Sequence, residues 1–487
     1  MWSEDVEHDG RIAKLTLSED GVLCWTNSAF SDSVILREDV LGLSRDRFTL
    51  TLFTFKLGKV GCFGSSSSRV RKDVVLHFRD SNTLDSWYQR MQAFLDNQGR
   101  PKRLYILINP FGGKKLAKRI FQQKVKPFLS AAGVSFTLQE TEYRNHAKEL
   151  AKSMEISQYD GIVCVSGDGL LLEVLNGLLA RSDWKMAMKM RLGVIPAGTG
   201  NGMAKSVLHY GNESYNVENA TFAIIRGNTH SLDVATVVQG QNVHHSVLSL
   251  AWGIVADVDI ESERFRGLGE LRNDIYSLIR ITRLRKYRGT LAYVPAPGYE
   301  GSLDHISRED SDLLSSSIPD MNIEKGQQWG GYSGSMSVPE KSEWRIMNGN
   351  FILVWLMNVP WATQTVLAAP KAEVIPVRNL KEPLSDGFLD LLIIKECSRR
   401  ELLKSFLKLS DGTHVKSKIM DYLKVRAVCL APGGQVNGGV EGGYISLDGE
   451  VLARGAGAYG DGSKDPMCYG SSIYITVEKG LATVFCA

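Results

Sequence analysis

At 487 residues the chain is too long for one ordinary hydrophobic core, so two or three domains are expected. A hydrophobic content of 43% beside 23% charged residues belongs to a folded globular protein, and the near-balanced net charge of +3 excludes nucleic acid as the first partner to consider. Seven scattered cysteines without a Cys-x-x-Cys pair favour a reducing compartment. The opening Met-Trp-Ser-Glu-Asp-Val-Glu is acidic where a signal peptide is basic, and no apolar run approaches the roughly 18 residues of a membrane span. A cytoplasmic protein that meets endomembranes peripherally is the expectation.

Residues 1–99 predict short alternating strands at Ile12 to Leu17, Gly21 to Trp25, Phe48 to Leu57 and Val74 to Phe78, then a helix from Thr83 to Leu95. Strands closed by a helix with an inward Trp resemble a pleckstrin-homology (PH) domain. Lys56, Lys59, Arg69, Arg71 and Lys72 flank the Ser65 to Ser68 loop, either meeting anionic lipid or simply solvating a hairpin. From residue 102 to 231 the texture changes to strands (Leu104 to Ile108, Phe136 to Glu140, Ile162 to Val165, Leu192 to Ile195) alternating with helices near 115–131, 145–155 and 170–182. That alternation predicts an open α/β layer with ligands at the carboxyl ends of its strands. Residues 232–470 turn mostly to strands, interrupted by helices near 268–286 and 399–409, and read as a β-rich, sandwich-like second domain. Within it, 300–345 has few regularly spaced apolar residues and reads as a mobile insertion. Residues 471–487 are expected to return to the α/β domain.

Three glycine-bearing turns each follow a predicted strand and precede a predicted helix: Asn109-Pro110-Phe111-Gly112-Gly113-Lys114, Ser166-Gly167-Asp168-Gly169, and Pro196-Ala-Gly198-Thr199-Gly200-Asn201. Glycine lets the backbone approach a phosphate, and a helix N-terminus offers it unpaired N–H groups. Each alone is a common strand-to-helix connection; three at the same end of successive strands point to one polyanionic ligand. None is a Walker loop.

Ser-Gly-Asp-Gly followed by Leu-Leu-Leu-Glu-Val-Leu-Asn-Gly, together with Ile-Pro-Ala-Gly-Thr-Gly-Asn, resembles the diacylglycerol-kinase-type catalytic superfamily. Within it, the stretch from Ala251 to Arg272 resembles the sphingosine kinases, and the N-terminal extension resembles their plant members. The resemblance implies ATP and Mg²⁺ as cofactors and a sphingoid base as acceptor. Superfamily members acting on diacylglycerol or ceramide, and a degenerate lipid-sensing adaptor, are the alternatives.

The resemblance also implies roles. Asp168 matches the general base, with a helix N-cap as the other reading. Ser166, Gly167 and Gly169 frame it beside the substrate. Asn109, Pro110, Phe111, Gly112, Gly113, Lys114, Thr141, Asn145, Glu173, Gly198, Thr199 and Gly200 match nucleotide contacts, Phe111 departing from a basic residue often found there. Arg266 and Arg272 match phosphate contacts from the second domain, or else they pair with Glu261, Glu263 or Glu270. Asp448, Gly449 and Glu450 match a motif that closes the site, with Asp448 or Glu450 as candidates for magnesium and a β-turn as the other reading. Asp259 matches the carboxylate that receives the base's amine and hydroxyl; the other reading pairs it with Arg264. The basic amphipathic stretch from Ile275 to Arg288 suits either an anionic membrane or a partly buried helix. A homodimer remains compatible with all of this.

Overall fold

A computed structural model describes residues 2–58, 68–269, 271–300, 331–334, 339–372, 385–436, 441–460 and 462–487. The N-terminal unit is a seven-stranded antiparallel sheet: β1 (Trp2–His8), β2 (Arg11–Leu17), β3 (Val22–Thr26), β4 (Ser31–Ile35), β5 (Val40–Asp46), β6 (Thr49–Leu57) and β7 (Arg69–His77), in the order β4-β3-β2-β1-β7-β6-β5. The helix Ser81–Asp96 lays Leu84, Trp87, Met91 and Leu95 on it, and Asp80 caps its start by accepting the Thr83 N–H at 2.7 Å. Three of these strands, β1, β4 and β5, were not expected from the sequence. β1 buries a single side chain, Val6, and is held by a tight Asp9-Gly10 hairpin with positive φ at both residues.

This unit is fixed to the next. Phe55 stands edge-on to Phe128 and Phe222 at 5.0 and 5.4 Å, and the buried Arg69 pairs with the buried Glu213 at 2.8 Å. Glu213 also receives Arg226. Of the basic residues flanking the serine loop, Lys56 pairs with Asp32, Arg69 with Glu213, and Arg71 lies over the rings of Phe53 and Phe128. Lys59 and Ser65 to Ser67 lie outside the described residues.

The α/β layer is parallel: β8 (Arg103–Ile108), β9 (Ser135–Glu140), β10 (Gly161–Ser166) and β11 (Arg191–Pro196), in the order β9-β8-β10-β11. Both faces are covered. Leu104, Ile106, Val163 and Ile195 pack on one side; Tyr105, Leu107, Ile162, Cys164 and Leu192 pack on the other. This is why these strands read as continuous apolar runs. The chain leaves β8 to one side and β10 to the other, which opens a crevice at the carboxyl ends.

The second domain is antiparallel: β12 (Thr229–Gln239), β13 (Asn242–Ser246), β14 (Ser249–Gly253), β15 (Tyr287–Pro295), β16 (Arg345–Phe351), β17 (Leu353–Met357), β18 (Leu389–Ile394), β19 (Asp421–Gln435), β20 (Tyr444–Leu447), β21 (Glu450–Arg454) and β22 (Ile473–Phe485). β22 belongs to both domains. It runs parallel to β11 at Arg191 and Leu192 and antiparallel to β12 and β19.

Most of the expected insertion at 300–345 lies outside the described residues, and within its described part Tyr332 is packed. Tyr332 packs between Trp184 and His245, its N–H donates to Leu179 O at 2.8 Å, and its hydroxyl donates to Glu478.

Candidate active site

The three glycine turns meet at the crevice. Asn109 Oδ1 accepts the N–H groups of Phe111 (2.9 Å) and Gly112 (3.1 Å), folding the first turn back on itself, with Gly113 at φ +53°. A Cβ on Gly113 would lie 3.0 Å from the Gly198 carbonyl carbon, and one on Gly198 would stand inside the backbone of Gly167. Only glycine permits this approach, so the turns form one continuous backbone surface. Asn201 braces the third: its Oδ1 accepts the Gly198 N–H at 3.1 Å and its Nδ2 donates to Gly198 O at 3.0 Å.

Asp168 begins the helix Asp168–Leu179, yet its carboxylate caps a different helix. It accepts the N–H groups of Gly202 (2.8 Å) and Met203 (3.0 Å), the first turn of Gly202–Tyr210. Burial pushes its pKa up to about 6, against the pull of those two donors. Glu173, one turn on, is half-buried and accepts the Ala147 N–H at 3.2 Å at the start of the helix His146–Ser153, with burial again raising its pKa. Asn145, at φ +67°, precedes that helix, and Thr141 closes β9 through Ile108 O. Asn109, Phe111, Gly112, Gly113, Thr141, Asn145, Ser166 to Gly169, Glu173 and Gly198 to Gly200 all line one cleft of about 1420 Å³. Pro110 and Lys114 do not; Lys114 reaches instead toward Gly269 of the second domain.

The second domain supplies the opposite wall. Asp259 lies on the helix Ile254–Glu261, accepts from Ser446 Oγ at 3.4 Å, and has its pKa pushed up to about 6 by burial, with Arg272 opposing. Arg264 is not its partner, since that guanidinium stacks 3.8 Å above the Tyr459 ring. Arg272 lines the cleft but is paired with Glu263, as the second reading of that residue had it. The side chain of Arg266, and all of Glu270, lie outside the described residues.

Asp448 and Gly449 form the tight turn between β20 and β21, both at positive φ. The Asp448 carboxylate is enclosed, accepting from Ser246 Oγ (2.5 Å) and the N–H groups of Val247, Leu248 and Ser249. It shapes the β13–β14 connection, with three of the four donors on Oδ1 and one, the Val247 N–H, on Oδ2. Glu450 is exposed to the cleft, 3.5 Å from where a Cβ on Gly169 would stand.

Arg144, Ser249 and Gln364 are among the cleft residues that were missed. Arg144 spans the cleft to Glu450 at 3.5 Å, and its place in Thr141-Glu-Tyr-Arg-Asn145 was a sufficient signal. Ser249 and Gln364 carried none. Beyond Asp259 the wall turns apolar, with Leu278 and Ile281 of the helix Leu271–Thr282, Trp355, Val366, Leu403 and Phe406. The glycine turns, Asp168, Asp259 and an apolar wall thus share one cavity.

Residues 103–237 match the model of the diacylglycerol kinase catalytic domain, and residues 352–457 that of the YegS C-terminal NAD kinase beta sandwich-like domain. Sphingosine kinase 1 of Arabidopsis thaliana is 44% identical over 484 residues, covering 99% of this chain and 96% of its own. The chain belongs to the sphingosine kinase family. Sphingosine kinase 2 of the same plant is 43% identical over 98% of this kinase and 95% of its own length, and human sphingosine kinase 1 is 34% identical over 73% and 88%. The kinase is thus an α/β catalytic domain joined to a β-sandwich-like domain, preceded by the seven-stranded unit.

Proposed function

We infer that the kinase transfers the γ-phosphoryl group of ATP to the primary hydroxyl of a sphingoid base, giving the 1-phosphate. The observation that carries this is the single cleft in which glycine turns, Asp168, Asp259 and an apolar channel follow one another. Phosphoryl transfer depends on positioning and on neutralising spread negative charge. The fused glycine turns offer N–H groups to the phosphates. Asp168, aimed by the Gly202 and Met203 N–H groups, takes the proton from the acceptor hydroxyl, and a pKa near 6 leaves it ionised yet basic at neutral pH. Asp259 holds the ammonium, which diacylglycerol and ceramide lack. The tail lies along Leu278, Ile281, Trp355 and Phe406. Arg272 serves the phosphates by exchanging its Glu263 partner for them.

The cleft's carboxylate oxygens suit magnesium, a hard ion that takes few protein ligands beside phosphate. Glu450 or Asp448 would hold it, and it would supply charge neutralisation on the phosphates. Among the described residues no helix is long and apolar enough to cross a membrane. Leu271, Ile275 and Leu278, all exposed on the helix at the cleft mouth, support peripheral contact with a membrane on the cytosolic side, where the lipid is taken up. A seven-stranded sheet closed by one helix supports a PH-like reading of residues 1–99, with 102–231 and 232–470 as the catalytic and lipid units.

Turnover of ATP with sphinganine, diacylglycerol and ceramide side by side is the test. Phosphorylation of sphinganine well above the other two is expected, and a preference for either neutral lipid would overturn the assignment.

A further inference from the structure

Between β17 and β18 the chain makes a tight turn that projects into the cleft. Trp361 and Leu367 form an isolated bridge at its base, and the Ala362 N–H donates to Val366 O at 3.0 Å. The base is pinned beneath by the Trp361 N–H to Ser206 Oγ (3.2 Å) and by the Leu367 N–H to Leu409 O (2.9 Å). The tip is Thr363-Gln364-Thr365, and all three residues line the cleft between the apolar Ala362 and Val366. Polar side chains are the wrong lining for a methylene chain, because any group they cannot pair is desolvated at a cost. They suit a substrate that carries oxygen at that level.

The orientation of Gln364 follows from its neighbour. Asn201 is fixed by the backbone, since its Oδ1 accepts from the Gly198 N–H and its Nδ2 donates to Gly198 O, which leaves the second Nδ2 hydrogen to face outward. That Nδ2 donates to Gln364 Oε1 at 3.2 Å, so the Gln364 oxygen is engaged and its amide NH₂ is turned away. No described residue accepts from this NH₂. The residue after Asn201 is Gly202, whose N–H holds the Asp168 carboxylate at 2.8 Å. Gln364 therefore stands beside the reacting centre on one side and Val366 of the tail channel on the other, with its oxygen bonded to Asn201 and its two N–H donors turned away from it.

Resting on the sphingoid-base reading above, we propose that Gln364 is a specificity-determining residue that donates a hydrogen bond to a hydroxyl on the fourth carbon of the base. The first carbon's hydroxyl meets Asp168 and the amine meets Asp259; an outward NH₂ cannot accept from an ammonium, but it matches a hydroxyl oxygen where the head gives way to the tail. The kinase accordingly favours 4-hydroxylated over 4-deoxy bases.

The test compares kcat/KM for 4-hydroxysphinganine and sphinganine at saturating ATP in wild type and in Gln364→Met, which keeps length and loses the donors. Wild type should prefer the 4-hydroxylated base by about three- to tenfold, the scale of one neutral hydrogen bond, and the variant should erase that ratio while leaving the KM for ATP unchanged. Equal efficiency on the two bases in wild type overturns the proposal without any variant. A ratio that survives in Gln364→Met overturns it too, as does an equal loss of kcat on both bases with a raised KM for ATP, which would place the amide on the γ-phosphate. Wild type that phosphorylates neither base but does phosphorylate a neutral lipid defeats the underlying reading instead, and is recognised as such.

Discussion

Asp168 and Asp259 are both held near a pKa of 6 by burial, and each must be ionised for a different reason, one to take a proton and one to hold an ammonium. Raising a carboxyl from 3.8 to about 6 costs the anion roughly 3 kcal/mol, so both sites sit close to neutrality. The perturbation is acidification at saturating ATP. At pH 5 about one-tenth of each group is ionised, so kcat/KM for the base should fall roughly a hundredfold from its plateau, with a slope approaching two below pH 6. At saturating base the bound ammonium keeps Asp259 ionised, and kcat should fall only about tenfold, with a slope of one. Asp259→Asn should reduce the kcat/KM limb to a slope of one as well. The assay is initial rate against pH with sphinganine, in wild type and variant. A slope of one for kcat/KM in wild type would remove Asp259 from the titration, and a flat profile down to pH 5 would remove Asp168 as the base.

Further outcomes follow from named contacts. Asp168→Asn should keep ATP binding and lose turnover on the order of a hundredfold or more, and near-normal turnover would exclude general-base action. Asp259→Asn should narrow the preference for sphinganine over its N-acetyl derivative by about tenfold or more, because only the amine loses a charge-assisted bond; an unchanged ratio places headgroup recognition elsewhere. Gly198→Ala pushes a methyl group into the Gly167 backbone and should raise the KM for ATP on the order of tenfold, which a direct binding titration would confirm or refute. Glu213→Ala strands the buried Arg69 and Arg226 and should cost about 3 kcal/mol; an unmoved denaturation midpoint would show that the remaining Glu38 and Asp39 contacts suffice.

The sequence disclosed the catalytic layer well, because strands buried on both faces leave unbroken apolar runs and the glycine turns sit where those runs end. It disclosed the N-terminal sheet poorly, since a strand such as β1 that buries only Val6 leaves no pattern. Residues Ile254–Glu261 stayed unassigned because their apolar positions alternate while the segment is a helix buried nearly all round. Among site residues, Asn109 was legible in its own turn and Asp168 between its glycines, although the donors that hold Asp168 come from Gly202 and Met203. Asp448 was not, because its four donors come from residues 246–249 and only the folded chain shows that its carboxylate is enclosed. Gln364 was silent for the same reason, its orientation being set by Asn201.

β22 ties this architecture to the order in which the chain is made. Its partners β11, β12 and β19 all leave the ribosome before residues 473–485 do. Until then the parallel sheet lacks its neighbour to β11 and the second domain lacks the strand between β12 and β19. The seven-stranded unit needs nothing beyond residue 96 for its own sheet and helix and can form during synthesis. The two sheets that carry the cleft are instead joined by one late strand. The strand that joins the two sheets thus follows in the chain every strand it pairs with, whereas the amino-terminal sheet has all its partners within the first 96 residues.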